Sequence, residues 1–340
     1  MNKTIKRVTR KDVAERANVS PTIVSYVINN NRYVDAEKKK RVQQALIDLG
    51  YKPNAMARAL KGKQSNHILF IVDDLQSEHF SKIMKQMDNW AFENNYFISL
   101  CESRNSDSFV NQVYQRYFDA VLIASGTFKQ KYIQELIDTK IPVVILEMRK
   151  YDKLKGDFGL INTGLYEGSR LCCKTLIEKS RKKIVFVDSF KTLSFAKSSK
   201  DDFRYKGFID ELSANNYVEN INYKIINNCK SEKELSLELD KIIESGFKID
   251  GVFGRTDSVA IQAMYKLIEK GYKVPKDCSI IGVNNARISR YTTPQLSTLD
   301  IDREAIGKAT ISILEKLFNN ENDIEYNISL KTNLIYRGSL

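Results

Sequence analysis

Short apolar runs alternate with amphipathic segments of helical period along most of this chain. Strand-length runs separated by helical patterns predict an α/β architecture with parallel sheets. The pattern occupies roughly 270 residues, more than one sheet of ordinary size needs, so we expect two lobes. The runs that predict strands are Ile68–Val72, Tyr96–Leu100, Ala120–Ala124, Val143–Leu146, Ile184–Val187, Lys224–Ile226, Gly251–Phe253, Ser279–Val283 and Ile328–Tyr336.

The first 50 residues carry a different pattern, in which helix-start signals recur at short intervals. Thr9 and Asp12 have the spacing of a capping box, Ser20-Pro21 pairs an N-cap with proline at the first helical position, and Asp35 can cap a third helix. Two short helices joined by a tight turn, with a third closing the core, predict a helix-turn-helix. In that motif the start of the second helix faces the major groove of DNA, here with Ser20, Pro21, Thr22, Ser25 and Tyr26.

The charge of the chain is concentrated in the same segment. The net charge is +12 over 340 residues, and residues 1–63 hold 15 Lys and Arg against 5 Asp and Glu. A small basic domain on a nearly neutral body is typical of proteins that bind the phosphate backbone. A generic three-helix bundle or a solvated basic tail are the alternatives, and the apolar periodicity disfavours the tail.

Several classes of protein are disfavoured by the composition. No apolar run approaches the ~20 residues of a membrane span, and no secretory signal is visible, so we expect a cytoplasmic protein that does not contact membranes. Five cysteines without a Cys-x-x-Cys spacing indicate reduced thiols, with Cys172-Cys173 in a helix core. With only His67 and His79, and no glycine-rich phosphate loop, we expect no metal, no cofactor and no enzymatic activity.

The N-terminal residues resemble the lactose-repressor/galactose-repressor (LacI/GalR) family of bacterial transcription regulators. The resemblance covers some 55 residues and extends more weakly to a type I periplasmic-binding-protein core. It follows the spacing Val8-Thr9-x-x-Asp12-Val13-Ala14-x-x-Ala17-x-Val19-Ser20-x-x-x-Val24-Ser25-x-Val27-x-Asn29 and then Leu49-Gly50-Tyr51-x-Pro53-Asn54-x-x-Ala57-Arg58-x-Leu60.

The resemblance implies roles for the DNA-binding residues. Positions 21, 22 and 26 would read bases, and Tyr26 stands where the family usually has Arg, so the operator half-site is expected to differ. Leu60, on paired hinge helices, would wedge into the minor groove. The residues expected at the DNA are Thr9, Ser20, Pro21, Thr22, Ser25, Tyr26, Asn29, Asn54, Ala57, Arg58 and Leu60.

The body would bind a small carbohydrate-type effector between its lobes, since open α/β sheets bind ligands at the carboxyl ends of their strands. Asn284 stands where the family commonly has an acidic residue, and several arginines lie near the expected cleft, a combination that suits an anionic sugar. The residues expected in the effector site are Asp73, Arg204, Thr256, Asp257, Asn284 and Arg303.

The resulting domain prediction has three parts. Residues 1–53 form the helix-turn-helix domain, 54–63 a hinge helix, and 64–340 a two-lobed effector-binding and dimerisation domain. Its three lobe crossings are expected near residues 188, 299 and 327. Lobe 1 then comprises about 64–187 and 300–326, and lobe 2 about 188–298 and 327–340.

The predicted function is allosteric repression by a homodimer on a pseudo-palindromic duplex operator. One alternative is a catabolite-control regulator that uses a phosphorylated carrier protein as corepressor. The helix over 311–318 lacks the docking stretch expected for that mode. The other alternative, a solute-binding module, is disfavoured by the basic helix-turn-helix.

Overall fold

The computed structural model describes residues 8–52, 64–190, 200–319, 321 and 326–340. The chain divides into two compact units, Met1–Ser65 and Asn66–Leu340. The expected hinge helix over 54–63, with Asn54, Ala57, Arg58 and Leu60, lies outside the described residues. Within the described part, no helix combines the length and the apolar character that a bilayer span requires.

The described residues of the first unit form three helices, α1 (Arg10–Ala17), α2 (Pro21–Asn29) and α3 (Ala36–Asp48). Their starts confirm the predicted caps, including the reciprocal capping box at the start of α1 and the cap of α2 by the Ser20 hydroxyl. Left-handed Asn18 ends α1 and allows the tight turn into α2. The helices pack around a small core formed by Val13, Ala14, Ala17, Val24, Val42 and Ala45.

The second unit is built on two six-stranded sheets covered by helices. Its strands are β1 (His67–Val72), β2 (Phe97–Glu102), β3 (Ala120–Ala124), β4 (Val143–Glu147), β5 (Gly159–Asn162), β6 (Ile184–Val187), β7 (Tyr223–Ile226), β8 (Gly251–Gly254), β9 (Ser279–Val283), β10 (Ser297–Ile301), β11 (Asn327–Ser329) and β12 (Thr332–Ile335). Its helices are α4 (Glu78–Glu93), α5 (Asp107–Tyr114), α6 (Gln130–Asp138), α7 (Leu165–Glu178), α8 (Phe203–Ala214), α9 (Glu232–Glu244), α10 (Asp257–Glu269) and α11 (Arg303–Phe318).

Each sheet defines one lobe of this unit. The first lobe has the strand order β11-β5-β4-β3-β1-β2, and the second has the order β12-β10-β9-β8-β6-β7. All pairings are parallel except that of β10 with β12. The central strands read as continuous apolar runs because helices bury both faces of each sheet. These features confirm the predicted fold class.

The chain crosses between the lobes three times; the second and third crossings lie within a few residues of the predicted positions, whereas the first lies elsewhere. The first follows β5 instead of residue 187, because α7 packs on α8 and β6 pairs with β7 and β8. The second follows β10, which ends at Ile301, and α11 then packs on α4. The third lies between β11 and β12, which belong to different sheets. A strand's sequence does not show which sheet it will join, so the first predicted boundary was displaced.

Candidate functional site

The exposed start of α2 forms the candidate DNA-binding face of the first unit. Pro21 and Thr22 are exposed in its first turn, and Ser25 and Tyr26 are half-buried one turn later. The Ser25 hydroxyl donates to the Pro21 carbonyl at 3.0 Å, which orders that turn. The Ser20 hydroxyl accepts from the backbone N–H of Ile23, so its role as a cap is structural. Thr9 is exposed and bonded to Asp12, and Asn29 is exposed at the end of the helix.

Two arginines flank this face. Arg10 Nη1 donates to the Ser25 hydroxyl at 3.4 Å, and the Arg32 guanidinium lies 5.3 Å from the centre of the Tyr26 ring. Arg10 comes from α1, so the packing of α1 on α2 brings it to this face, whereas Arg32 lies in the turn directly after α2. The Arg32 guanidinium places a cation beside the position where the family usually has Arg itself.

A cleft of about 560 Å³ separates the two lobes of the second unit at the carboxyl ends of their strands. The first lobe contributes the segment after β1, the start of α4 and the end of β2. The second contributes the segment after β6, the starts of α8, α9 and α10, and Asn284 after β9. Asn284 has a φ of 101°, so the chain leaves β9 through a backbone conformation that few residues adopt. The volume is typical of sites for small molecules.

Asp73 occupies the first-lobe wall of the cleft and organises the loop after β3. One carboxylate oxygen accepts from the hydroxyls of Ser125 and Thr127, and the other accepts from the backbone N–H of Gly126 at 2.8 Å. A methyl group on Gly126 would lie 3.2 Å from Asp202 Oδ2. The loop that Asp73 holds therefore reaches the second lobe, and a side chain at position 126 would crowd the Asp202 carboxylate.

Beneath the cleft, Asp202 binds two guanidinium groups. Its carboxylate accepts from Nε and Nη2 of Arg204 at 3.0 and 2.8 Å, and from Nη2 of Arg255 at 2.8 Å. The other terminal nitrogen of Arg255 donates to Asp188 at 2.9 Å, and all four side chains are almost fully buried. Burial alone would raise the pKa of Asp202, but the two guanidiniums lower it to about 2. The buried carboxylates and guanidiniums of this network stay ionised because each is paired with an opposite charge.

A third group of polar residues lies behind the cleft, at strand ends of the second lobe and at the start of α11. The Asp257 carboxylate accepts from the Ala286 N–H and the Thr298 hydroxyl. Arg303 donates to the Asn284 carbonyl and to Asp300, at 2.5 and 3.1 Å. These bonds fix the strand ends that carry Asn284, so Asp257 and Arg303 position the cleft wall instead of lining it.

Comparison with known proteins agrees with both parts of this architecture. Residues 9–54 match the model for "bacterial regulatory proteins, lacI family", and residues 173–340 match a periplasmic-binding-protein-like domain. The HTH-type transcriptional repressor PurR of Pasteurella multocida (strain Pm70) is 30% identical over 338 residues, covering 98% of both chains. The chain belongs to the lacI family. The PurR repressor of Mannheimia succiniciproducens is 28% identical over the same length, again covering 98% of both chains.

Solved structures of this family have the same fold. A lac repressor dimer bound to operator and an anti-inducer superposes with a TM-score of 0.79 at 22% identity, covering 98% of this chain and 99% of that one. A regulator from Silicibacter pomeroyi superposes with a TM-score of 0.80 at 21% identity, covering 98% and 99%. At these identities the likeness shows the fold alone.

Four of the six effector residues expected for this lacI-family chain line the cleft. Asp73, Arg204, Thr256 and Asn284 meet there, whereas Asp257 and Arg303 lie behind its wall. Among the lining residues that sequence reasoning did not find are His79, Phe80, Glu102, Phe190 and Glu232. Most of these follow a strand or begin a helix, so the strand-end rule applied more widely would have found them.

Asp257 makes the stability of this unit depend on pH. Burial raises its pKa to about 7, above the ~3.9 of an unfolded aspartate. The folded chain therefore keeps a proton that the unfolded chain loses, and the resulting stability is lost as the pH rises from about 4 to about 7. We expect Asp257→Asn to gain stability relative to the parent over this range, by at most about 1.4 kcal/mol per pH unit.

Denaturant unfolding at pH 5, 6 and 7, followed by far-ultraviolet circular dichroism, measures this difference. Asp152→Asn is the matched control, because Asp152 is exposed in the same unit. If the two variants keep a constant stability difference at all three pH values, the titration of Asp257 does not contribute.

Proposed function

We propose that this protein is a homodimeric, sequence-specific DNA-binding repressor whose operator affinity depends on a small molecule bound in the cleft. The observation that carries the proposal is the joining, in one chain, of a capped helix-turn-helix with an exposed polar start of α2 to a two-lobed unit with an interlobe cleft. DNA is the partner of such a helix. Acting on chromosomal DNA would place the protein in the cytoplasm.

The DNA contacts that we propose are those expected from the sequence. Pro21, Thr22 and Tyr26 would face base edges, with Arg32 as an additional cation. The backbone contacts would come from Thr9, Ser20, Ser25 and Asn29, and those of the hinge from Asn54, Ala57, Arg58 and Leu60.

Homodimerisation is supported by apolar side chains that the two-lobed unit leaves exposed on both lobes. Phe92 and Phe97 are 84% and 80% exposed at the end of α4 and the start of the edge strand β2. Ile288 and Tyr291 are 52% and 68% exposed on the second lobe. A second copy would cover these side chains, and it matches the two-fold symmetry of a palindromic operator.

The cleft would act as the switch because its walls belong to different lobes. A molecule that contacts Asp73 on one wall and Arg204, Thr256 and Asn284 on the other favours a particular separation of the lobes. The largest change in operator affinity that the molecule can cause equals the difference between its binding free energies for the two lobe separations. A tenfold change in operator affinity therefore requires a difference of about 1.4 kcal/mol. The expected carbohydrate stays a prediction, since the relatives reported above are named PurR and no sugar is part of that name.

The DNA-binding role is tested by one substitution on the exposed start of α2. Thr22→Glu introduces a carboxylate where the phosphates and bases would lie, and acidic residues are favourable at a helix start, so the fold is kept. We expect operator affinity to fall by about 1–3 kcal/mol or more. The operator is obtained by in vitro selection from random duplex DNA, and affinity is measured by fluorescence anisotropy.

Gln43→Glu is the matched control, since Gln43 is exposed on α3 and the change has the same charge. It should weaken binding much less than Thr22→Glu. Equal effects of the two variants would contradict recognition through α2, and a selected sequence without two-fold symmetry would contradict a homodimer.

A further inference from the structure

The walls of the cleft carry more acidic than basic side chains. Asp73, Asp74, Glu102 and Glu232 line it as carboxylates, and Arg204 and Arg255 are the guanidiniums among its lining residues. The expectation of an anionic effector depended on these arginines. An anionic effector therefore requires that these guanidiniums are free to bind it.

Both guanidiniums are already neutralised by carboxylates of the protein. Arg204 pairs with Asp202 through two nitrogens, and Arg255 pairs with Asp202 and Asp188. Arg303, behind the wall, is paired with Asp300. An anionic ligand would have to compete with these buried carboxylates, whose removal from their partners is costly. The premise of an anionic effector is therefore not supported by the structure.

The carboxylate of Asp73 interacts electrostatically with Arg255, but Asp74, Glu102 and Glu232 have no such compensation in the described structure. Over the described ranges, none of them forms an ion pair with Lys or Arg, and their hydrogen bonds come from neutral donors. Asp73 receives the donors of the loop after β3, Asp74 the Gln76 N–H, and Glu102 the Leu75 N–H. Glu232 receives the Gln262 amide. The described lining residues therefore carry a net negative charge, and the concave shape of the cleft strengthens the field of that charge.

An independent feature of the cleft also indicates a ligand. His79 lines the cleft and is only 8% exposed, and its Nδ1 atom has no hydrogen-bond partner in the described structure. Burial, with Arg303 and Arg204 nearby, lowers the pKa of His79 to about 3, so the ring is neutral and adds no positive charge. Phe80 and Phe190 present aromatic rings to the same space, and such rings attract cations.

We propose that the ligand of this cleft is a small organic cation, an amine protonated at neutral pH that carries a ring or hydroxyl groups. Its ammonium would lie among the uncompensated carboxylates, and its body against Phe80, Phe190 and the Asn284 amide. This inference rests on the proposed function, since it names the class of molecule that would act as effector.

The charge of the cleft can be measured without knowing the ligand. Ser258 lines the cleft and is exposed, so Ser258→Cys places a thiol there. The rate at which this thiol is modified is measured with two reagents of opposite charge, the cationic trimethylammonium-ethyl methanethiosulfonate and the anionic sulfonatoethyl methanethiosulfonate. Cys101→Ser is included in every variant because the other four native cysteines are buried. Ser213→Cys, exposed on α8 outside the cleft-lining residues, is the control.

We expect the ratio of cationic to anionic rates to be about tenfold higher at position 258 than at position 213. Adding Glu102→Gln and Glu232→Gln should bring the rate ratio at position 258 most of the way to the value at position 213. Glu135→Gln, which changes an exposed residue of α6, should leave the ratio at position 258 unchanged. Equal ratios at the two positions, or a preference for the anionic reagent at 258, would overturn the proposal.

Ligand binding to the full chain provides the second test. Binding of two sets of compounds is measured by calorimetry, and each set contains an amine, a neutral compound and a phosphate. The sugar set is glucosamine, glucose and glucose 6-phosphate. The nucleoside set is 5′-amino-5′-deoxyadenosine, adenosine and adenosine 5′-monophosphate. The amine should bind most tightly of its set and the phosphate most weakly. Tighter binding of a neutral or phosphorylated member would overturn the proposal. Failure of operator selection, with the expected reagent ratio, would instead contradict the proposed function and leave the cleft charge established.

Discussion

Asp202→Asn is expected to lower the free energy of unfolding of the two-lobed unit by about 3–5 kcal/mol. The substitution keeps the size of the side chain but removes the charge that binds two buried guanidiniums. Arg255 would retain Asp188, and Arg204 would lose the carboxylate that accepts from its Nε and Nη2. A buried cation without its counter-ion is among the most destabilising changes that one residue can cause.

Denaturant unfolding followed by tryptophan fluorescence measures the effect, since Trp90 is the single tryptophan and lies in α4. Asp152→Asn serves again as the control, because it makes the same chemical change at an exposed site of the same unit. The parent and control should unfold at similar denaturant concentrations, and Asp202→Asn at a clearly lower one. A common midpoint for all three would show that the network contributes little.

A double-mutant cycle separates the ion pair from general disturbance of the packing. Arg255→Met leaves Asp188 buried without the guanidinium that it binds. Combining this change with Asp202→Asn removes both members of the Arg255–Asp202 ion pair. If the pairing dominates, the double variant loses less stability than the two single losses added together. Additive losses would indicate that each residue acts independently.

The fold class followed from the sequence because apolar runs and cap residues are local signals. The same signals did not identify β5 and β10. The first has four residues, and the second, Ser297–Ile301, contains Ser297, Thr298 and Asp300. The buried hydroxyls of Ser297 and Thr298 have their partners, Arg337 and Asp257, in distant parts of the chain, and the Ser297 N–H donates to the Ser339 hydroxyl. Pairing in the sheet, and not the local pattern, makes this segment a strand.

The site was predictable to the same extent. Strand ends meet at one edge of a parallel sheet, so Asp73, Thr256 and Asn284 could be assigned to the cleft from topology. The ion pairs of Arg255 with Asp188 and Asp202 join residues 67 and 53 positions apart, and no local spacing indicates them. Without those pairs the arginines suggested an anionic effector, and with them the cleft is acidic.

Operator affinity is expected to fall steeply with salt, by about 10³–10⁵ between 50 and 200 mM if six to ten phosphates are neutralised. The net positive charge lies almost entirely in residues 1–63, where 15 Lys and Arg stand against 5 Asp and Glu, and a dimer would present this segment twice. Arg32→Gln removes a cation beside Tyr26 from each protomer and should reduce the slope of log affinity against log salt by about two. Lys153→Gln, at an exposed site of the other unit, should leave the slope unchanged. Anisotropy titrations at four salt concentrations give both slopes, and indistinguishable slopes would exclude Arg32 from the phosphate contacts.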